Sequence, residues 1–202
     1  VGSEMCIRDR VVSVTAIGHK LRTHQKAVAG QDIVMTKHIG MSGIRTVISH
    51  KRDEILNVLP EDVINKAFAA DEELIIAKEA QIFIKQNIDG AMHDASEGGI
   101  FAALWDMAEY SGTGMDIDLR HISVKQEIIE ICELFNINPY ILDSMGCLLM
   151  TCENGCDIVN IMKQNGIEAA VIGKITDGNN RIIHNTDCLL YTSPSPRDRT
   201  RS

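Results

Sequence analysis

Ala91-Met92-His93-Asp94-Ala95-Ser96-Glu97-Gly98-Gly99-Ile100 sets the fold class of this chain. A short apolar run ends at His93-Asp94, small and acidic residues follow, and a glycine pair leads into a helical pattern. Ile100, Ala103, Leu104, Met107 and Ala108 fall at i, i+3, i+4, i+7 and i+8, one apolar face of a helix. The pattern describes a strand that stops, turns and becomes a helix, with its polar side chains gathered at the turn. Open α/β sheets place ligands at strand-to-helix junctions, and the first turn of a helix offers unpaired N–H groups to an anion. The stretch predicts a ligand-binding α/β domain and leaves the ligand open.

Downstream, Ser111-Gly112-Thr113-Gly114 ends the helix, and Trp105 lies off the centre of its apolar face, a position for flank packing. Met115–Leu119 alternates strictly and reads as a strand. Ser123-Val124-Lys125-Gln126 has the form of a capping box, opening a helix with Ile128, Ile131, Cys132 and Phe135 on one face. The apolar run Cys147–Cys152 predicts a strand, Glu153–Gly155 a turn, and Ile158, Val159 and Met162 a helix that stops at Asn165-Gly166. Ala169–Ile172 predicts another strand. Lys174–Thr176 and Arg181–His184, on either side of Asp177-Gly178-Asn179-Asn180, predict a hairpin.

Upstream, Gln31–Thr36 predicts a strand leading into a loop, Lys37 to Gly43, punctuated by Gly40 and Gly43, before a helix from Ile44. This second strand–glycine loop–helix unit reads either as a further anion-facing loop or as an ordinary helix entry. Pro60, with Glu61 and Asp62 in the first turn, opens a helix, and the run from Leu74 to Phe83 continues helically to about Asn87, where Asp89-Gly90 stops it. Val11–Gly18 is rich in β-branched residues and predicts a strand. Strands interleaved with helices make the expected class α/β (α+β), a mixed β-sheet covered by helices on at least one face.

The 202 residues, 45% hydrophobic and 24% charged, suit one soluble domain with a core. No apolar run reaches the roughly 18–20 residues of a membrane span, and Val1–Arg10 has no signal-peptide core. Both ends, about 1–10 and 188–202, resemble translated sequencing-adapter read-through, with a native disordered tail as the alternative. The expected organisation is a tail over 1–10, a remnant of or crossover from a preceding domain over 11–18, one domain over 19–187, and a second tail over 188–202. Setting the two ends aside removes five basic and three acidic residues, so the segment between them carries −10 against −8 for the whole chain. An acidic domain repels nucleic acid and anionic membranes. A phosphate ligand would need local N–H groups, a metal or a partner domain. Cys132, Cys147, Cys152 and Cys156 form no Cys-x-x-Cys and have no matching metal-ligand pair. They read as free thiols in a reducing, cytoplasmic setting, with no metal site.

Met92–Ile100, continued by the helix through Met107-Ala108-Glu109, resembles the C-terminal domain of AIR synthase-related proteins. Ile122–Glu127 with Ile131-Cys132, Asn138-Pro139-Tyr140, and Ala170–Thr176 are similar to the hydrogenase-maturation branch of that superfamily, and the resemblance spans about residues 11–185. It implies the C-terminal domain of an ATP-dependent enzyme that activates an amide or similar oxygen by phosphoryl transfer. ATP and Mg2+ would lie largely on a missing N-terminal domain, often across a homodimer, and a maturation partner protein is implied as well. The fragment alone would be inactive. A purine-biosynthesis ligase or small-molecule kinase of the same superfamily is one alternative, and a non-catalytic nucleotide- or partner-binding domain is another. The resemblance puts His93 and Asp94 at a strand end facing the inter-domain cleft as catalytic candidates. Ser96, Glu97, Gly98 and Gly99, with Gly40 and Gly43, are the candidates for binding substrate or phosphate. His93 fits either proton transfer or orientation of the loop. Asp94 fits either a turn or cap residue or a metal ligand, and Glu97 either a magnesium helper or a carboxylate favoured at a helix start. One departure stands out: the branch's C-terminal Pro-Arg-Ile-Cys tail has no counterpart, and Cys188 falls at the edge of the Ser/Pro/Arg segment.

Overall fold

The computed structural model describes residues 25–68 and 70–185, the isolated residues Thr15, Ile17 and Thr23, and the backbone of Tyr191-Thr192. Most of the strand expected over Val11–Gly18 and most of both terminal segments lie outside the described residues. The strands are β1 (Asp32–Thr36), β2 (Met92–Asp94), β3 (Gly114–Asp118), β4 (Leu148–Cys152), β5 (Ala169–Thr176), β6 (Arg181–His184) and β7 (Tyr191–Thr192). The helices are α1 (Met41–Leu56), α2 (Glu61–Ala67), α3 (Ala77–Lys85), α4 (Gly99–Ser111), α5 (Gln126–Leu134) and α6 (Gly155–Gln164). The strands form one seven-stranded sheet in the order β2-β4-β1-β5-β3-β6-β7. Every neighbouring pair is antiparallel except β3 with β6. The α+β class expected from the sequence is what the structure shows.

The pleat sorts the core. Along β1, Ile33 and Met35 join Leu149 of β4 and the apolar face of α4, Ile100, Leu104 and Met107. Val34 goes to the opposite face with Leu148, Met150 and Cys152 of β4, Phe83 of α3, and Ile158 and Met162 of α6. The sheet is therefore covered on both sides. A third core, Met41, Ile44, Ile48, Ile64, Ile128 and Ile131, joins α1, α2 and α5 to one another. Each such side chain contributes roughly 1.5–3 kcal/mol on burial, so packing rather than helix propensity holds these short helices.

Four local expectations are corrected. Arg181–His184 does not fold back on Lys174–Thr176. β3 lies between them, Asp116 pairing with Lys174 on one side and Ile182 on the other. Gly114 admits the strand, since a Cβ there would meet Thr176 Oγ1 at 2.5 Å and Asn180 O at 2.6 Å. The guanidinium of Arg181 stacks 3.7 Å over the Trp105 ring, so the expected flank-packing Trp holds β6 against α4. Ser123 makes no capping box: α5 starts at Gln126 after an extended Lys125, and the Ser123 hydroxyl bonds His38 Nδ1 at 2.7 Å. The glycine loop is shorter than expected, with α1 opening at Met41 and Gly43 inside its first turn. The run after Asp71 is a 3-10 turn, Asp71–Leu74, followed by a separate α3.

Cys132, Cys147 and Cys152 are buried and Cys156 is exposed, all four as free thiols. Burial pushes the Cys147 thiol up to about 12 and those of Cys132 and Cys152 up to about 11. Among the described residues no helix is long and apolar enough to cross a membrane.

One buried ion pair fixes α3 to the sheet. Lys37, just past β1, has φ +54, and its ammonium donates to Glu73 O at 2.8 Å and Ile75 O at 2.9 Å while pairing with Glu79 Oε1 at 2.7 Å. All three N–H groups are thereby committed. Removing one partner of a buried pair leaves an uncompensated charge, whereas removing both can be nearly neutral. Lys37→Met is expected to cost about 3–5 kcal/mol, and Lys37→Met/Glu79→Leu to recover most of that loss. Urea denaturation of the two variants measures both.

Candidate active site

Two strand-to-helix junctions meet at one connecting segment. In the first, β2 ends at Asp94, Ala95 N–H donates to Cys147 O at 3.0 Å, and the Ser96 carbonyl accepts Gly99 N–H at 3.0 Å and Ser144 N–H at 3.3 Å. Gly98 and Gly99 have φ +80 and +68, a left-handed pair that side chains adopt only under strain. A Cβ on Gly99 would stand 2.5 Å from Tyr140 O and 2.7 Å from Leu142 O. In the second junction Gly40 caps α1 at φ +76. Its N–H donates to Ser144 Oγ at 2.9 Å, and Gly43 N–H donates to Asp143 O at 2.9 Å. A Cβ on Gly43 would stand 2.4 Å from Leu142 Cγ.

The connecting segment runs from the 3-10 turn Pro139–Ile141 to Gly146. Ser144, fully buried, accepts from the Gly40 junction through Oγ and donates to the Ser96 junction through its backbone N–H. Its hydroxyl proton goes to Leu142 O at 2.8 Å. Beside it, Ser42 Oγ donates to Asp143 Oδ1 at 2.5 Å, and Met145 N–H reaches both of those oxygens, at 2.9 and 3.0 Å. Ser42, Asp143 and Ser144 are absent from the candidates drawn from the sequence. A carboxylate and a hydroxyl two residues ahead of Gly146 and an apolar strand is the faint signal that marks the last two.

His93 and Asp94 lie on a cleft of about 470 Å³ that runs along the edge strand β2. Ile76 and Ala80 bound it on one side, and Asp106, Tyr110 and Ser111 of α4 on the other. His93 Nδ1 sits 2.7 Å from Asp94 O. A carbonyl can only accept, so Nδ1 carries the hydrogen, and in the neutral imidazole the lone pair is on Nε2. The imidazole is thus held in one tautomer with a basic nitrogen available. Asp94 and Glu97 are exposed. The structure therefore gathers Ser96, Gly99, Gly40 and Gly43 at the connecting segment, with Gly98 capping α4 beside Gly99. It sets His93 and Asp94 on the adjacent cleft and leaves Glu97 at the surface. At Gly40, Gly43 and Gly99 the missing side chains make room for protein atoms.

The cleft does not fit a polyphosphate by itself. Its lining holds two carboxylates, Asp94 and Asp106, and no Lys or Arg among the described residues, so three or four phosphate charges would meet repulsion. Nor do the described residues bring together three or more His, Cys, Asp or Glu side chains that could hold a metal ion. What the cleft offers is one oriented imidazole, carboxylates and apolar walls, a set suited to moving a proton on a neutral substrate.

The sequence profile for AIR synthase related protein, C-terminal domain, matches residues 28–185. A putative hydrogenase expression/formation protein of Methanocaldococcus jannaschii is 26% identical over 192 residues, covering 89% of this chain and 53% of that protein. The crystal structure of E. coli HypE, a hydrogenase maturation protein, superposes with a TM-score of 0.68 at 21% identity, over 85% of this chain and 52% of that one. The crystal structure of the hydrogenase maturation protein HypE in complex with ATP superposes with a TM-score of 0.59 at 17% identity, over 86% and 54%. At these identities the structures share the fold, and the chain spans about half the length of the proteins it matches.

Two glycine substitutions separate crowding from backbone strain. Gly166 has φ +73, and a Cβ added there would meet nothing within 4 Å, whereas Gly99 at φ +68 faces two carbonyl oxygens. Gly166→Ala is expected to cost about 1–2 kcal/mol, and Gly99→Ala at least about 3 kcal/mol. Thermal melts of the two proteins under one buffer check the ordering.

Proposed function

Because the chain belongs to the AIR synthase-related protein family and matches its C-terminal domain, we propose that it forms the acceptor side of the active-site cleft of an ATP-dependent enzyme. The parent enzyme is of the hydrogenase-maturation type and activates an amide or similar oxygen by phosphoryl transfer. The observation that carries this reading is the convergence on Ser144 of two glycine junctions, one of which continues directly from His93-Asp94. The backbone fixes that geometry before any substrate arrives, as catalysis by positioning requires.

In this reading His93 is the proton-transfer group. Its Nδ1 stays with the Asp94 carbonyl, and Nε2 takes the proton from the acceptor amide and later returns it. Asp94 orients the acceptor at the mouth of the cleft. The Ser96 hydroxyl and the Gly98 N–H hold the acceptor's developing negative oxygen, while Gly99, whose N–H is committed to the Ser96 carbonyl, shapes the turn. Gly40 and Gly43 serve by letting α1 and the connecting segment approach. The acidic lining favours a nucleotide supplied by an N-terminal domain, and the family reading adds Mg2+, a homodimer, a maturation partner protein delivering the acceptor and a cytoplasmic setting.

The test is ATP turnover by the full-length protein in the presence of a carboxamide acceptor. His93→Ala is expected to lower the rate by about 100-fold or more with little change in melting temperature. The 202-residue chain alone is expected to hydrolyse no ATP above background. An unchanged rate with a large fall in melting temperature would make His93 a structural turn residue and remove the proton-transfer role.

A further inference from the structure

β2 is an edge of the sheet, and among the described residues β4 is the one strand beside it. Met92, His93 and Asp94 stand opposite Met150, Leu149 and Leu148 in antiparallel register. On either side of that ladder, Thr151 N–H donates to Ala91 O at 2.9 Å and Ala95 N–H donates to Cys147 O at 3.0 Å. In an antiparallel pair the backbone groups of every second residue face the partner strand. Those of Ala91, His93 and Ala95 therefore face β4, and those of Met92 and Asp94 face away from it. Asp94 O accepts from His93 Nδ1 at 2.7 Å. The N–H and C=O of Met92 and the N–H of Asp94 are left without a partner among the described residues.

Those groups do not open onto bare surface. The cleft of about 470 Å³ runs along the same edge, walled by Ile76 and Ala80 at the start of α3 and by Asp106, Met107 and Tyr110 of α4. A sheet edge at the floor of a groove between two helices is the geometry in which an extended peptide adds a strand, its backbone bonding the edge and its alternate side chains entering the walls. Charge narrows the occupant. Asp94 and Asp106 line the groove, no Lys or Arg of the described residues does, and Lys26 stands near α4 with its ammonium 5.5 Å from the centre of the Tyr110 ring. An acidic peptide would be repelled. A second copy's β2 would bring its own Asp94 against this one. We infer that β2 binds a short extended peptide of neutral to basic sequence. One peptide residue exchanges two backbone hydrogen bonds with Met92, a peptide carbonyl accepts Asp94 N–H, and a basic side chain lies beside the Asp94 carboxylate. The groove is formed by β2, α3 and α4 of this chain, so peptide binding and His93-dependent ATP turnover can fail independently.

Fluorescence anisotropy of a labelled, end-blocked pentapeptide alternating lysine and valine, titrated with the 202-residue chain at low salt, tests the site. Saturable binding of one peptide per chain is expected, with the glutamate–valine counterpart at least about tenfold weaker. Backbone N-methylation separates strand addition from simple charge attraction. Methylating the second and fourth residues, or the first, third and fifth, removes N–H groups from opposite edges of the peptide, so one set should weaken binding by about tenfold or more and the other should not. Asp94→Lys, at an exposed position, should weaken the lysine–valine peptide at least about threefold with an unchanged circular dichroism spectrum. The inference is overturned by an absence of saturable binding, by equal affinity for the two N-methylated sets, or by a well-folded Asp94→Lys chain that binds as tightly as the parent. A chain that sediments as a dimer and binds no peptide gives the edge to a second copy and overturns it as well.

Discussion

No methyl group fits between the segment Tyr140–Gly146 and the two glycine junctions it joins. A side chain at Gly99 would enter the carbonyls of Tyr140 and Leu142, and one at Gly43 would enter Leu142 itself. Hydrogen bonds through Ser144 and Asp143 then lock the arrangement. Each bond contributes only about 0.5–1.5 kcal/mol net, so the steric fit sets the geometry and the bonds select the register. The site is consequently built from backbone. His93 and Asp94 inherit their position from a strand end that cannot shift without disturbing the Ser96 carbonyl and, through Ser144, the start of α1.

Much of this was legible in the sequence where local chemistry and tertiary structure agree. The helical spacing of Ile100, Leu104 and Met107, the alternation of β3 and the Asn165-Gly166 stop all reappear, because each pattern reports a face that is buried. Legibility failed wherever a distant residue intervened. The turn Asp177–Asn180 looks like a hairpin turn, yet β3, from more than fifty residues earlier, takes the place beside β5. Ser123 looks like a cap, yet His38 claims its hydroxyl from 85 residues away. Gly43 looks like loop, yet its need is for contact with Leu142. The candidate site divides the same way: His93 to Gly99 stood out as a contiguous motif, while Ser42, Asp143 and Ser144 acquire meaning only when two junctions meet.

Charge gives the site its character. Among the described residues the lining of the β2 cleft holds no Lys or Arg, and Lys37, just past β1, is held by Glu79 and two carbonyls. With a formal charge of −8, the chain is poorly suited to gathering phosphate and well suited to neutral or positive ligands.

The strand order carries a consequence for how the chain is made. β1 lies between β4 and β5, with Asp32 opposite Cys152 on one side and Lys174 on the other. Both partners leave the ribosome more than a hundred residues after β1 itself. At roughly 5–20 residues per second, Ile33-Val34-Met35 waits for several seconds or longer with both edges open. Vectorial synthesis therefore cannot assemble this sheet progressively. Until β4 and β5 emerge, an apolar strand destined for the centre of the molecule keeps both edges unpaired, so the nascent chain is more open to wrong pairing than the finished fold.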